Sequence, residues 1–275
     1  MYSPLRPSVF TVAFADGSIN VDREQYVILR QLYEPVSSTY TYLLGCEETG
    51  RAVLIDPVIN SVERDLAEVS KLGLKLEYTL DTHIHADHIT SARELKQKAG
   101  SKIAAPAMDC LACTDVGVEE GRPFQVGRLS FQPIHTPGHT DGHFAYRLDD
   151  RVFTGDALLI EGCGRTDFQN GNTDTLYRSV TDKLFTLPED YLVYPAHDYK
   201  QRRVSTIGQE KDSNVRLGQG KSLEEFREIM DKLNLAYPKF IDQAVPGNRQ
   251  CGVCPTDLPE RLQQYCEQMA HTPQG

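Results

Sequence analysis

The sequence predicts an α/β fold in which sheets are covered by helices in layers. Apolar, β-branched and aromatic runs come in groups. Single stretches of helical periodicity separate those groups. The second half of the chain then repeats the order of the first. At 275 residues, the chain is long enough for one large α/β domain or two small ones.

Residues 1–24 are polar and carry no periodic pattern. The runs "YVILRQLY", "TYTYLLG" and "AVLIDP" follow and read as strands separated by turns. From Ser61 to Leu72 the spacing of Val62, Leu66, Val69 and Leu72 predicts a helix, stopped by Gly73. In "LKLEYTL", Leu74, Leu76, Tyr78 and Leu80 alternate, which predicts a strand and places His83 just beyond its C-terminal end. Ligand-binding loops collect at that end of strands in α/β folds. The next helix is expected after Ser91, spaced with Glu94 as a capping box, and it closes at Gly100. Asp87 and His88 are expected to open it.

In the second half, "RLSFQPIHT", "HFAYRL" and "RVFTGD" read as strands. Thr173 to Leu187 reads as a helix with Leu176, Val180 and Leu184 on one face. "YLVYPAH" is a short strand ending in His197. Ser222 to Asn234 is a further helix, with Ser222 and Glu225 spaced as a capping box, and a terminal helix is expected over residues 258–270.

Composition narrows the partners. A formal net charge of −10 disfavours nucleic acid. No apolar run approaches the ~18 residues of a membrane span. The start, "MYSPLRPSVF", lacks the pattern of a signal peptide. Seven cysteines is an odd count with scattered spacing, so unpaired, reduced thiols in a cytoplasmic protein are expected. Cys110/Cys113 and Cys251/Cys254 have the C-x-x-C spacing that zinc sites use, but they lie far apart in the chain. Cys163 reads as a small buried residue.

Seven of the eight histidines gather at strand-to-loop junctions: "THIHADH", "HTPGHTDGH" and "YPAHDY". A fourth junction, "FTGDALL", carries Asp156. Imidazoles and carboxylates in convergent loops suit zinc, iron or manganese. A purely structural zinc is disfavoured, because none of these loops supplies a cysteine ligand. Alternate residues of an extended loop point to opposite sides, so His83 and His85 aim at one metal only if the loop turns there. His135 and His143 are not assigned as ligands.

H-x-H-x-D-H followed by a later His, Asp and His (His83, His85, Asp87, His88, His139, Asp156, His197) resembles the metallo-β-lactamase superfamily. The longer stretches "GCGRTDFQ", "TLPEDYLVYPAHDY" and "FIDQAVPGNRQCG" resemble its persulfide dioxygenase branch. The resemblance implies a four-layer αβ/βα sandwich over residues 25–250, with 1–24 an extension and 251–275 a tail. It implies one Fe(II) per chain on His83, His139 and Asp156, a two-histidine, one-carboxylate face that leaves positions open. His85, Asp87, His88 and His197 then orient the ligands. The implied reaction takes glutathione persulfide, O₂ and water to sulfite and glutathione. Arg165, Tyr199 and Thr140 are the candidate substrate contacts, since glutathione carries two carboxylates. The same motif holds two metals in glyoxalase II-type thioester hydrolases, which is the alternative. A homodimer, with no membrane and no nucleic acid, completes the expectation.

Overall fold

Two six-stranded sheets lie face to face in this computed structural model, which describes residues 12–13, 19–20 and 27–253. The first sheet runs in chain order: β1 (Val27–Glu34), β2 (Thr39–Cys46), β3 (Arg51–Ile55), β4 (Lys75–Leu80), β5 (Lys102–Pro106) and β6 (Val116–Val118). Its first two pairings are antiparallel and its last three parallel. The second sheet contains β7 (Phe124–Val126), β8 (Leu129–His135), β9 (Phe144–Leu148), β10 (Arg151–Gly155), β11 (Leu192–Pro195) and β12 (Ser205–Thr206). Its neighbours are also sequential, and only β10 and β11 pair in parallel. Val12–Ala13 and Ile19–Asn20 form a small separate ladder.

Parallel neighbours need a crossover, and the chain supplies helices for it. The first sheet uses α1 (Val62–Lys71) and α2 (Ala92–Ala99). The second uses α3 (Thr173–Arg178), continued by a π turn over Ser179–Lys183. The helices α4 (Ile207–Ser213), α5 (Leu223–Asp231) and α6 (Ile241–Asn248) follow.

Alternation along the strands sorts side chains into layers. Tyr42, Leu44, Val53 and Ile55 point between the sheets, against Phe131, Phe144, Tyr146 and Phe153. Leu43, Ala52 and Leu54 point outward onto Val62, Val69 and Leu95 of α1 and α2. On the far side, Ala145, Val152 and Val193 meet Leu176, Val180 and Phe226. The order is helix, sheet, sheet, helix, as expected of the four-layer sandwich.

Three local expectations are corrected. The strand "LKLEYTL" does not present one face: the register slips from Ala52↔Leu76 to Val53↔Tyr78, leaving Glu77 unpaired. That β-bulge sends Leu76 to the outer helices while Tyr78 and Leu80 face inward. The capping box at Ser91 does not form, because its hydroxyl is buried without a partner. The helix start is held by tertiary contacts instead: the Arg93 N–H donates to the Cys251 carbonyl (3.1 Å). Asp87 and His88 therefore lie in the loop before α2, not in its first turn. By contrast, the box at Ser222 and Glu225 is complete.

The thiols are corrected too. Cys113 and Cys251 form a disulfide across 138 residues of chain, and Cys251 is only 2% exposed. The 138-residue gap between the two C-x-x-C pairs hid that contact, since spacing alone does not reveal spatial neighbours. The terminal helix expected over residues 258–270, and nearly all of 1–24, lie outside the described residues.

Candidate metal centre

The site forms where strands of both sheets end. β4 leads into His83, His85, Asp87 and His88; β8, β10 and β11 lead into His139, Asp156 and His197. The sheets are tied together at this edge. The Tyr40 N–H donates to the Ala196 carbonyl (2.7 Å), and the Phe144 N–H donates to the Thr82 carbonyl (2.8 Å).

Hydrogen bonding fixes how each ring is turned. Asp56, at the end of β3, is buried and has a left-handed backbone (φ 49°). Its carboxylate accepts from the Thr82 N–H (2.7 Å), the Thr82 hydroxyl (3.0 Å) and His85 Nε2 (3.1 Å). Because the Thr82 hydroxyl donates to Asp56, it accepts from His83 Nδ1 (2.9 Å). His83 Nε2 is left bare, buried and without a partner. His139 Nδ1 donates to the Arg165 carbonyl (2.7 Å), which also frees Nε2. The Asp156 Oδ1 accepts from His197 Nδ1 (2.7 Å), while Oδ2 lies 3.5 Å from His139 Nε2. One ligand atom from each of His83, His139 and Asp156 lies within 4.8 Å of the other two.

His143, not assigned from sequence, holds this triad in place. Its Nε2 accepts the Asp156 N–H (3.0 Å), so its proton sits on Nδ1 and is donated to the Thr136 hydroxyl (2.8 Å). Two glycines make room: a Cβ at Gly155 (φ +51°) would sit 2.5 Å from His143 Nε2, and one at Gly164 would sit 2.8 Å from His139 Nδ1. His135 is turned away, toward the Asp141 carbonyl (2.9 Å).

The remaining motif residues bind one another. Asp87 Oδ2 accepts from His88 Nδ1 (2.9 Å), His197 Nε2 (2.9 Å) and the Thr39 hydroxyl (3.1 Å). One atom each of His85, Asp87 and His88 also lies within 4.8 Å of the other two. Burial, with His85 and His139 beside it, pushes His83 well below the usual imidazole range, so it stays neutral. Burial likewise takes His143 down to about 3. Burial opposes charge on His197 too, but Asp156 and Asp87 on its two nitrogens raise it well above the usual value. Burial would raise Asp156, yet His197 and then His139 hold it well below the carboxylate range.

The residues fit a metal ion. Bare imidazole nitrogens at His83 Nε2, His85 Nδ1 and His88 Nε2 are buried without hydrogen-bond partners, an arrangement that costs about 1–3 kcal/mol per polar group unless something fills it. Two imidazole nitrogens and one carboxylate oxygen form a donor set for a divalent ion.

Of the candidate substrate contacts, Tyr199 is 78% exposed and its ring stacks on His197 (6.3 Å, 13°). It lines a cavity of about 260 Å³ with Cys163, His197, Arg202 and Arg216. Thr140 is buried, its hydroxyl is unpartnered, and it lines a separate cavity of about 210 Å³ with Ile84 and Asp109. The Arg165 guanidinium is engaged by Asp167 (2.6 and 2.7 Å) and the Ala236 carbonyl (2.8 Å), and it stacks on Phe168. It is the Arg165 carbonyl, not its side chain, that reaches His139. Sequence reading missed Asp56, Thr39 and Asn248. Asp56 had left one signal, a carboxylate closing the apolar run "AVLIDP".

Residues 35–197 match the family model of the metallo-β-lactamase superfamily. The bovine mitochondrial persulfide dioxygenase ETHE1 is 49% identical over 229 residues, covering 82% of this chain and 89% of that protein. The crystal structure of ETHE1 from Myxococcus xanthus superposes with a TM-score of 0.80 at 54% identity, covering 82% of this chain and 99% of that one. A hydroxyacylglutathione hydrolase from Polaromonas is 34% identical over 181 residues, covering 63% of this chain and 68% of that protein.

Proposed function

This chain belongs to the metallo-β-lactamase superfamily and to its persulfide dioxygenases, and we propose that it oxidises glutathione persulfide with one Fe(II) held by His83, His139 and Asp156. The observation that carries this reading is the convergence of two bare imidazole nitrogens and one carboxylate oxygen within 4.8 Å. Iron bound there would supply the redox chemistry of persulfide oxidation by O₂.

The protein's part is to hold and orient. Asp56 and Thr82 lock the His83 tautomer, the Arg165 carbonyl locks that of His139, and His143 fixes the Asp156 backbone. His197 takes up one oxygen of Asp156 and leaves the other for the ion. Beyond His197, Lys200, Arg202 and Arg216 line the same cavity as Tyr199. Glu161 and Asp198 line it too and pair with Arg202 (2.6 and 2.8 Å), so Lys200, Arg216 and the Tyr199 hydroxyl are the groups there that suit the carboxylates of glutathione. Burial pushes the Cys163 thiol up to about 11, which keeps it an inert wall of that cavity. A homodimer is part of this reading and is checked by light scattering.

The test is oxygen uptake with glutathione persulfide, with metal analysis of anaerobically purified protein. One iron per chain and O₂-dependent sulfite are expected. The second reading, a binuclear thioester hydrolase, is favoured by the His85, Asp87 and His88 group. Near two metals per chain, with hydrolysis of S-lactoylglutathione and no oxygen uptake, would replace the first reading with the second.

A further inference from the structure

We propose that Asn248 is a positioning residue for the metal centre, clamping, from 160 residues further along the chain than His88, the turn that carries His85, Asp87 and His88. The inference rests on the metal site read above but concerns a residue outside its ligand motif. Asn248 ends α6 and is 4% exposed. Its Nδ2 donates to the His85 carbonyl (2.9 Å) and the His88 carbonyl (2.8 Å). Its Oδ1 accepts the Thr90 N–H (2.8 Å).

Physical need explains the residue. Between Leu80 and Ala92 the chain belongs to no strand or helix, apart from a single bridge of Thr90 to Val58. Its buried backbone groups therefore have no ladder to satisfy them, and each needs a partner from elsewhere. A carboxamide offers two donors and an acceptor on one short planar group, so one side chain meets three such needs. Aspartate has the shape without the donors. Glutamine has the donors on a longer arm.

The rest of the segment is pressed onto the same loop. The Cys251 carbonyl accepts the Arg93 N–H (3.1 Å). A Cβ at Gly252 would run into the Thr90 carbonyl. The Cys113–Cys251 bond fastens the segment to the body of the fold. Within the clamped turn, the His85 ring centre lies 4.1 Å from that of His83 and 4.3 Å from that of His88. Releasing the two carbonyls lets the turn relax and shifts the His85 ring that packs against the ligand His83.

The experiment measures Fe(II) affinity by chelator competition under argon, on folded full-length chain. The proteins are wild type, Asn248→Ala, Asn248→Asp and the control Phe226→Leu, which opens a void under α5. Asn248→Ala and Asn248→Asp are both expected to weaken iron about 10-fold, the low end of the loss when a ligand's own hydrogen-bond partner is removed, because Asn248 acts on His83 through the neighbouring turn. Phe226→Leu is expected to lower the melting temperature and leave affinity unchanged. If Asn248→Ala fails to fold, Asn248→Asp and Asn248→Ser carry the measurement. Wild-type affinity in folded Asn248 variants would overturn the proposal, leaving Asn248 a packing residue. Wild type that binds no iron, or Asp156→Ala that binds it fully, would instead overturn the metal reading, so the two failures are distinct.

Discussion

Asp156 concentrates the chemistry of the site in one carboxylate. It is the single anionic member of the triad, and its two oxygens are divided between His197 and the position facing His139. Asp156→Ala is expected to remove nearly all bound metal, measured by metal analysis, while the chain stays folded by circular dichroism. Asp65 illustrates a different residue-scale effect, remote from the site. Burial lifts its carboxyl from 3.8 to about 6, against the opposing Arg64 guanidinium, and its Oδ2 has no hydrogen-bond partner. Between those pH values the folded chain holds a proton that the unfolded chain has released, so stability falls as pH rises through the window. Asp65→Asn is neutral throughout. It is expected to stabilise by about 1–2 kcal/mol at pH 8 and by almost nothing near pH 4, read from urea unfolding at both. The ligand types were legible in the sequence because H-x-H-x-D-H is local. The partners that turn those rings were not. Asp56, Thr39 and Asn248 reach the motif from 29, 49 and 160 residues away, and no spacing rule connects them.

Strands and helices were legible wherever a single face decides their pattern. α3, its π continuation and the 3-10 turn Leu184–Thr186 bury Leu176, Val180 and Leu184 as their spacing requires, and Ser222 caps α5 with its own side chain. The pattern misled where tertiary contacts overrode it. Strict alternation from Leu74 to Leu80 reads as one face, yet the bulge at Glu77 divides those residues between two cores. At Ser91 the expected local cap lost to the carbonyl of Cys251, which a local rule has no means of anticipating. At the end of β10 the demand is on the backbone. Gly155 has φ +51°, and a side chain there meets His143 Nε2 at 2.5 Å. Gly155→Ala therefore combines a left-handed penalty of about 1–2 kcal/mol with a displaced His143. Loss of at least about 2 kcal/mol in chemical denaturation, together with reduced metal content, is the expected outcome.

The whole molecule is closed by a covalent bond that the sequence disguised. The odd number of cysteines favoured free thiols, whereas folding brings Cys113 and Cys251 together. A cross-link enclosing 138 residues removes much of the freedom of the unfolded chain, worth about 3–5 kcal/mol in the chain-entropy picture. Cys113→Ser is expected to lower unfolding free energy by that order, with dithiothreitol producing a similar fall in wild type and little further change in the variant. Guanidinium titrations with and without reductant check it. The layered architecture itself followed from grouped strands and single helices. Which strand ends would share one edge did not, since it depends on how the two sheets face each other.

That shared edge has a mechanical consequence. His83 comes from one sheet, His139 and Asp156 from the other, so an ion gripped by all three works as a rivet through the seam. Stripping it with a chelator should let the two halves breathe at that rim. Amide hydrogens of Tyr40 and Phe144 would then exchange faster, while those at the opposite end of the sandwich keep their pace.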